Sequence, residues 1–346
     1  MSGHKPRLRL MKAYEMDGSA TLEGIAVRER DMPRPGPREI LVRMRAASLN
    51  FRDLMTADGR YSIKGKGGVV PLSDGAGEVI EVGSGVTRVK AGERVTSTFF
   101  PRWISGPVSA HAVSDLPSTT RDGVLAEYVV FHEDSVVAIP SHLSYEEAST
   151  LPCAALTAWV ALNGPRPLLS GETVLTQGSG GVSIFALQIA KLFGARVIVT
   201  TSDAGKGERL TQLGADEVVN YRDNPEWFAA VKELTAQQGA DHIIEIGGAG
   251  TLEKSIRAAA IGGVINMIGV LEKVERVDPS IFMRGIVTIR RISVGSRAHF
   301  ESMNRAIALH KLRPVIDRVF PFSEAISALR YFAGRGHFGK VVIALS

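Results

Sequence analysis

The chain has 346 residues, 45% hydrophobic and 22% charged, with 41 Lys and Arg against 36 Asp and Glu for a formal net charge of +5. That length suggests two domains of about 150 residues. The mild charge excess is spread along the chain without blocks of like sign, which argues for neither nucleic acid nor a membrane as partner, and no apolar run reaches the ~18 residues of a membrane span. A single cysteine, Cys153, excludes an intramolecular disulfide and an all-cysteine zinc site.

Residues 1–10 carry Lys5, Arg7 and Arg9 without an apolar stretch. They do not read as a secretory signal and are treated as an extension ahead of the start-like Met11-Lys12-Ala13; a cytoplasmic location is expected. Up to residue 140, apolar runs such as 39–44 and 76–82 are broken by Pro33, Pro35, Pro37, Gly83 and Gly85. That pattern predicts short strands joined by turns. Residues 99–122, rich in Pro, Gly, Ser and Thr, predict a long loop. The rhythm changes near Ser141. Ser144 with Glu147 three residues on forms a capping box that opens a helix. Strands are then expected at 173–176, 196–201, 218–220, 241–246 and 263–268, with helices at 184–193, 205–213, 224–238 and 252–260 between them. Such alternation implies a parallel sheet covered on both faces. The last fifty residues predict helices at 300–310 and 323–330 around a loop at Pro314, then an edge strand at 340–345, returning to complete the first domain.

The most informative stretch is Gln177-Gly178-Ser179-Gly180-Gly181-Val182-Ser183. A predicted strand runs directly into Gly178-x-Gly180-x-x-Ser183 and a helix follows, which is the context a dinucleotide-binding turn requires. Gly178 permits the tight turn, Gly180 leaves room for a pyrophosphate, and the helix N-terminus offers N–H groups with a partial positive charge. Ser183 replaces the third glycine, at a position that needs only a small residue. The next strand ends Val199-Thr200-Thr201-Ser202, without the acid that binds a ribose 2′-hydroxyl. Ser202 and Lys206 there favour a 2′-phosphate, hence NADP over NAD; Asp203, in the turn, is the dissenting residue.

These motifs occur with Ala46-Ala47-Ser48-Leu49-Asn50-Phe51-Arg52-Asp53, Gly83-Ser84-Gly85-Val86, Lys90-Ala91-Gly92-Glu93-Arg94-Val95, Leu156-Thr157-Ala158-Trp159, Leu213-Gly214-Ala215-Asp216 and Gly339-Lys340-Val341-Val342. In this order they resemble the medium-chain dehydrogenase/reductase superfamily from Met11 onward, and within it the zinc-independent, quinone oxidoreductase-like branch. The resemblance implies an α/β fold. A Rossmann doubly wound parallel sheet would span 141–296, and a GroES-like β-barrel domain 11–140 with 297–346, the cofactor lying between them. Alcohol dehydrogenases of the family hold catalytic zinc with a Cys, a His-Glu pair and a later Cys; the corresponding places here are Ser48-Leu49-Asn50-Phe51, Ser73-Asp74 and Cys153. Three protein ligands are needed, so no metal is expected and Cys153 reads as a small buried residue. Hydride transfer from NAD(P)H to a small electron-poor acceptor, a quinone or an activated C=C or C=O, needs no such Lewis acid.

The resemblance also implies roles for single residues. Tyr61, eleven positions beyond Asn50, stands at the offset of a proton-donating tyrosine in related enone reductases, and Asn50 stands near the nicotinamide. Arg52 and Asp53 read as a local structural pair. Thr157 falls against the nicotinamide or its ribose, and Gly178, Ser179, Gly180, Gly181 and Val182 against the diphosphate. Thr201, Ser202, Lys206 and Tyr221 fall near the 2′-phosphate. Gly269, Val270 and Leu271, with Val294 and Gly295, belong to loops closing over the nicotinamide, and Lys340 reaches a phosphate. A homo-oligomer, most simply a dimer, would pair through residues 262–294. The rival readings are a zinc-free alcohol dehydrogenase and an NADPH-binding protein with little turnover.

Overall fold

The computed structural model describes residues 9–61, 67–269 and 278–345. In chain order, strands β1 (Leu10–Met16), β2 (Ile25–Asp31) and β3 (Glu39–Ser48) lead into helix α1 (Phe51–Ala57). Strands β4 (Asp74–Val82), β5 (Arg94–Ser97), β6 (Tyr128–His132) and β7 (Val136–Ala138) follow, then helices α2 (Tyr145–Ser149) and α3 (Leu156–Leu162). The alternating stretch comprises β8 (Thr173–Gln177), α4 (Gly181–Leu192), β9 (Arg196–Thr201), α5 (Ala204–Gln212), β10 (Glu217–Asn220), α6 (Trp227–Leu234), β11 (Ala240–Glu245), α7 (Leu252–Ala258), β12 (Ala259–Met267) and β13 (Val287–Arg291). Helix α8 (Arg297–His310), β14 (Ile316–Pro321), α9 (Ala325–Ala333) and β15 (Lys340–Ala344) close the chain.

Two compact units result. One comprises Met1–Cys153 with Gly295–Ser346, the other Ala154–Val294. The second unit is a parallel sheet in the order β10-β9-β8-β11-β12-β13. Numbered from its own first strand, that is 3-2-1-4-5-6, the doubly wound order, with the reversal between β8 and β11. Its strands are apolar on both faces, as burial beneath two helical layers requires: Val197, Ile198 and Val199 are all buried, as are Ile243 and Ile244. Trp227, Val231, Leu252 and Ile256 pack against this sheet from α6 and α7. The first unit holds a sheet in the order β14-β15-β3-β4-β5-β7, with β6 pairing β3. Ile40, Val42, Met44, Val79 and Leu125 form its core with Ala328 and Leu329 of α9 and Val341 and Ile343 of β15, so the chain's last segment shares one core with its first.

Several expectations need correction. β15 is not an edge strand: it lies between β14 and β3, pairing Val342 with Ser48. β14, which pairs with it, falls where a loop around Pro314 was expected. The first 140 residues are not strands alone, because Asn50 starts the seven-residue helix α1. The helix expected at 224–238 is confined to Trp227–Leu234, and β12 starts at Ala259 rather than 263. Residues 99–122 contain turns and no named strand or helix. Among the described residues no helix is long and apolar enough to cross a membrane.

Candidate functional site

In the second unit, β8 delivers the chain into the glycine turn. Gly178 has φ +72°, a left-handed conformation that side chains disfavour, and its N–H donates to the Thr200 carbonyl at 2.6 Å. Gly180 is the N-cap of the twelve-residue α4. A Cβ placed on Gly178 or Gly180 would meet no heavy atom within 4 Å. The turn therefore has open room beside the positive end of a helix, and its residues fit a diphosphate. Ser183, standing for the third glycine, is buried and donates to the Gln177 carbonyl at 2.6 Å. The hydroxyl thus braces the turn while keeping the side chain small.

The carboxyl ends of β9 and β10 bring together the residues expected at a 2′-phosphate. The Tyr221 N–H donates to the Thr201 carbonyl at 2.9 Å, Ser202 is half-buried, and Tyr221 is exposed. Asp203 is the N-cap of α5, its Oδ1 accepting from the Lys206 N–H at 2.8 Å; helix capping accounts for this acid. Thr157 is buried within α3. Gly269 follows β12 where a Cβ would lie 1.6 Å from the Ile246 carbonyl oxygen, so only glycine fits. Val294 is buried with φ +52°. Val270 and Leu271 lie outside the described residues.

The first unit carries Asn50, Tyr61, Gly295 and Lys340. Asn50 is the N-cap of α1, and its N–H donates to Asp53 Oδ2 at 2.8 Å. Lys340 is buried at 3% exposure, and its Nζ donates to Asn50 Oδ1 at 2.6 Å and to the Leu49 carbonyl. Asp74, fully buried at the start of β4, accepts from Ser73 Oγ at 2.7 Å and from the Cys153 N–H at 2.8 Å. Burial raises the Asp74 carboxyl above its ordinary range, with the Lys340 ammonium pulling the other way. Burial likewise raises Asp53 to about 6, against the pull of Arg52. Burial lowers Lys340, and the surrounding protein raises the Cys153 thiol, which keeps the thiolate disfavoured; Cys153 itself is half-buried, not the buried residue expected.

Arg52 sits beside Asp53 (Nη1 to Oδ1, 3.4 Å) and also donates to the Pro117 carbonyl at 3.1 Å. Its guanidinium lies over the rings of Tyr61 (5.0 Å) and Phe99 (5.3 Å). The tie between α1, Tyr61 and the 99–122 loop was not read from the sequence, because Arg52 and Phe99 carry no local signal of each other. Tyr61 is half-buried, its N–H donating to the Met55 carbonyl at 2.9 Å.

The zinc question turns on this donor set. Asp74 is already engaged by Ser73 and Cys153, the Lys340 ammonium stands near it, and Ser73 offers a hydroxyl where an imidazole would be needed. Among the described residues no three His, Cys, Asp or Glu side chains are grouped to hold a metal ion. The residues present do not fit a three-ligand catalytic zinc.

Comparison with known proteins shows the family and the fold. Residues 36–141 match the family model for the alcohol dehydrogenase GroES-like domain, and residues 181–309 match that for zinc-binding dehydrogenases. A zinc-type alcohol dehydrogenase-like protein of Schizosaccharomyces pombe is 39% identical over 92% of this chain and 94% of its own. A quinone oxidoreductase of Pseudomonas aeruginosa is 30% identical over 93% and 95%. The crystal structure of an NAD-dependent alcohol dehydrogenase superposes with a TM-score of 0.89 at 34% identity, covering 97% of this chain and all of that one. The chain belongs to the medium-chain dehydrogenase/reductase superfamily: it is an NAD(P)-dependent oxidoreductase built from a GroES-like domain and a Rossmann domain.

Proposed function

We propose that the chain is a zinc-independent reductase that transfers hydride from NADPH, with NADH as the alternative, to a quinone or an activated C=C or C=O. The observation that carries this reading is the engagement of Asp74 by Ser73 Oγ and the Cys153 N–H, with Lys340 close by. A buried ammonium and an occupied carboxylate leave no set of ligands to stabilise an alkoxide as a metal does. A bound nicotinamide supplies the hydride. The chain's own task is then to orient the acceptor and to place a donor where charge develops, and Tyr61, steadied by Arg52, is our choice for that donor.

The preference for NADPH rests on Thr201, Ser202 and Tyr221 at neighbouring strand ends, on Lys206 in the first turn of α5, and on the capping duty of Asp203. Titration by nucleotide fluorescence tests it: Lys206→Ala should lose about 1.5–3 kcal/mol of NADPH affinity and little for NADH. Equal losses for both remove the preference. A zinc-free alcohol dehydrogenase is the second reading, favoured by the structural likeness to an NAD-dependent alcohol dehydrogenase; alcohol-dependent reduction of NAD or NADP would select it. The edge strand β13 and the exposed Ile261, Phe282, Met283 and Ile286 near it support a homodimer paired along that edge. A cytoplasmic location completes the reading.

A further inference from the structure

Gln177 ends β8 and Glu245 ends β11, the neighbouring strands between which the strand order reverses. Doubly wound sheets take their dinucleotide in the crevice at that reversal. Both side chains are buried, Glu245 completely. Glu245 Oε1 accepts from the Gly248 N–H at 2.9 Å and from Thr251 Oγ1 at 2.6 Å. Its Oε2 accepts from Gln177 Nε2 at 2.8 Å and from Ser255 Oγ. Gln177 Oε1 in turn accepts the N–H groups of Ile246 (3.0 Å) and Gly247 (3.2 Å). The two side chains together take up three successive backbone N–H groups after β11, and Gln177 is the residue immediately before Gly178. The backbone of Glu245 holds a third loop, since its carbonyl accepts from the Ile268 and Gly269 N–H groups at 2.9 and 3.1 Å.

Stability alone does not call for this arrangement. Burying a carboxylate is costly, and apolar side chains of similar size would fill the space as well or better. A fully satisfied polar network does what apolar packing does not: it holds neighbouring backbone groups at fixed spacing. We infer that Gln177 and Glu245 are positioning residues for the nucleotide, the bridge between them setting the spacing of the glycine turn against the 246–251 turn and so the affinity for the dinucleotide. This inference rests on the dinucleotide reading of residues 178–183.

The test is a charge exchange. Gln177→Glu sets two carboxylates against each other; adding Glu245→Gln restores one amide and one carboxylate with the roles reversed. NADPH and NADH affinities of the wild type, Q177E and Q177E/E245Q are measured by fluorescence titration, with thermal melts to establish folding. The expected result is about tenfold or greater weakening in Q177E, the size of a lost hydrogen bond to a charged group, and recovery in the double variant. Unchanged affinity in a folded Q177E overturns the inference, as does a double variant that melts like the wild type yet binds as weakly as Q177E. If Q177E does not fold, Gln177→Met removes the bridge without adding charge; it should weaken binding similarly, and wild-type affinity there overturns the inference too. A wild type that binds neither nucleotide sinks the dinucleotide reading itself, whereas a wild type that binds alongside an unaffected Q177E sinks only the role of the pair.

Discussion

Lys340 Nζ donates to Asn50 Oδ1 across 2.6 Å of the first unit's interior, although 290 residues separate the two in the chain. The bond joins β15, from the chain's last segment, to the cap of α1, and the buried Asp74 and Asp53 carboxyls favour the charged form of Lys340 against its burial. The N-terminal end of α1 is thus held by a residue the sequence presents as a strand lysine in a glycine-flanked terminal motif.

Removing that cation should be expensive. Lys340→Met leaves Asn50 Oδ1 and the Leu49 carbonyl without their donor and removes a cation that acts on the buried Asp74 carboxyl, while Asp53 keeps Arg52. We expect a loss of about 1–3 kcal/mol in unfolding free energy, the usual cost of leaving buried acceptors without their donor. Lys340→Met combined with Asp74→Asn should lose less than the two single losses summed, because the second change removes part of the uncompensated charge. Urea denaturation of the four proteins gives the coupling; strict additivity would show that Lys340 and Asp74 do not interact.

Asp53 gives a dependence on pH with a definite sign. Its carboxyl is raised from 3.8 to about 6 by burial, so ionising it opposes folding. The penalty is absent below about pH 4, grows between pH 4 and 6, and is constant above. In Asp53→Asn that penalty is missing, so the variant's stability relative to the wild type should rise across pH 4–6 and level off. Denaturation curves at a series of pH values check this, and a flat difference would mean that Asp53 titrates as an ordinary carboxyl.

Tyr61 should matter to turnover and not to nucleotide binding. Tyr61→Phe keeps the ring beneath the Arg52 guanidinium and removes only the hydroxyl. As a proton donor to the acceptor, its loss should lower kcat/KM by about a hundredfold or more, with the NADPH dissociation constant unmoved. Steady-state kinetics with an enone, beside a binding titration, separates the two; full activity in Y61F would return Tyr61 to a packing role.

What the sequence discloses here follows the range of the interactions. The glycine turn is legible because its parts, a buried strand, Gly178, Gly180 and an apolar helix, are contiguous, and each has a local reason to be there. The alternation of strands and helices from residue 173 to 267 is legible through its periodicity, with helix ends misplaced, as at Trp227, where no side-chain cap marks the start. Helix α1 was missed because a seven-residue helix shows hardly two turns of apolar spacing. The interior position of Lys340 was missed because a charged residue at the head of a strand reads as an edge, and only its pairing with β14 and β3 shows otherwise. Neither the stacking of Arg52 on Phe99 nor the bridge from Gln177 to Glu245 has a signature in spacing, since each joins segments dozens of residues apart.

Reduction without a metal requires that turnover survive chelation. NADPH oxidation in the presence of 1,4-naphthoquinone is followed before and after exhaustive dialysis against a strong chelator, with zinc content determined by elemental analysis. A zinc-independent reductase keeps an unchanged rate and holds no stoichiometric zinc. A rate that disappears on chelation and returns with added zinc would contradict that assignment.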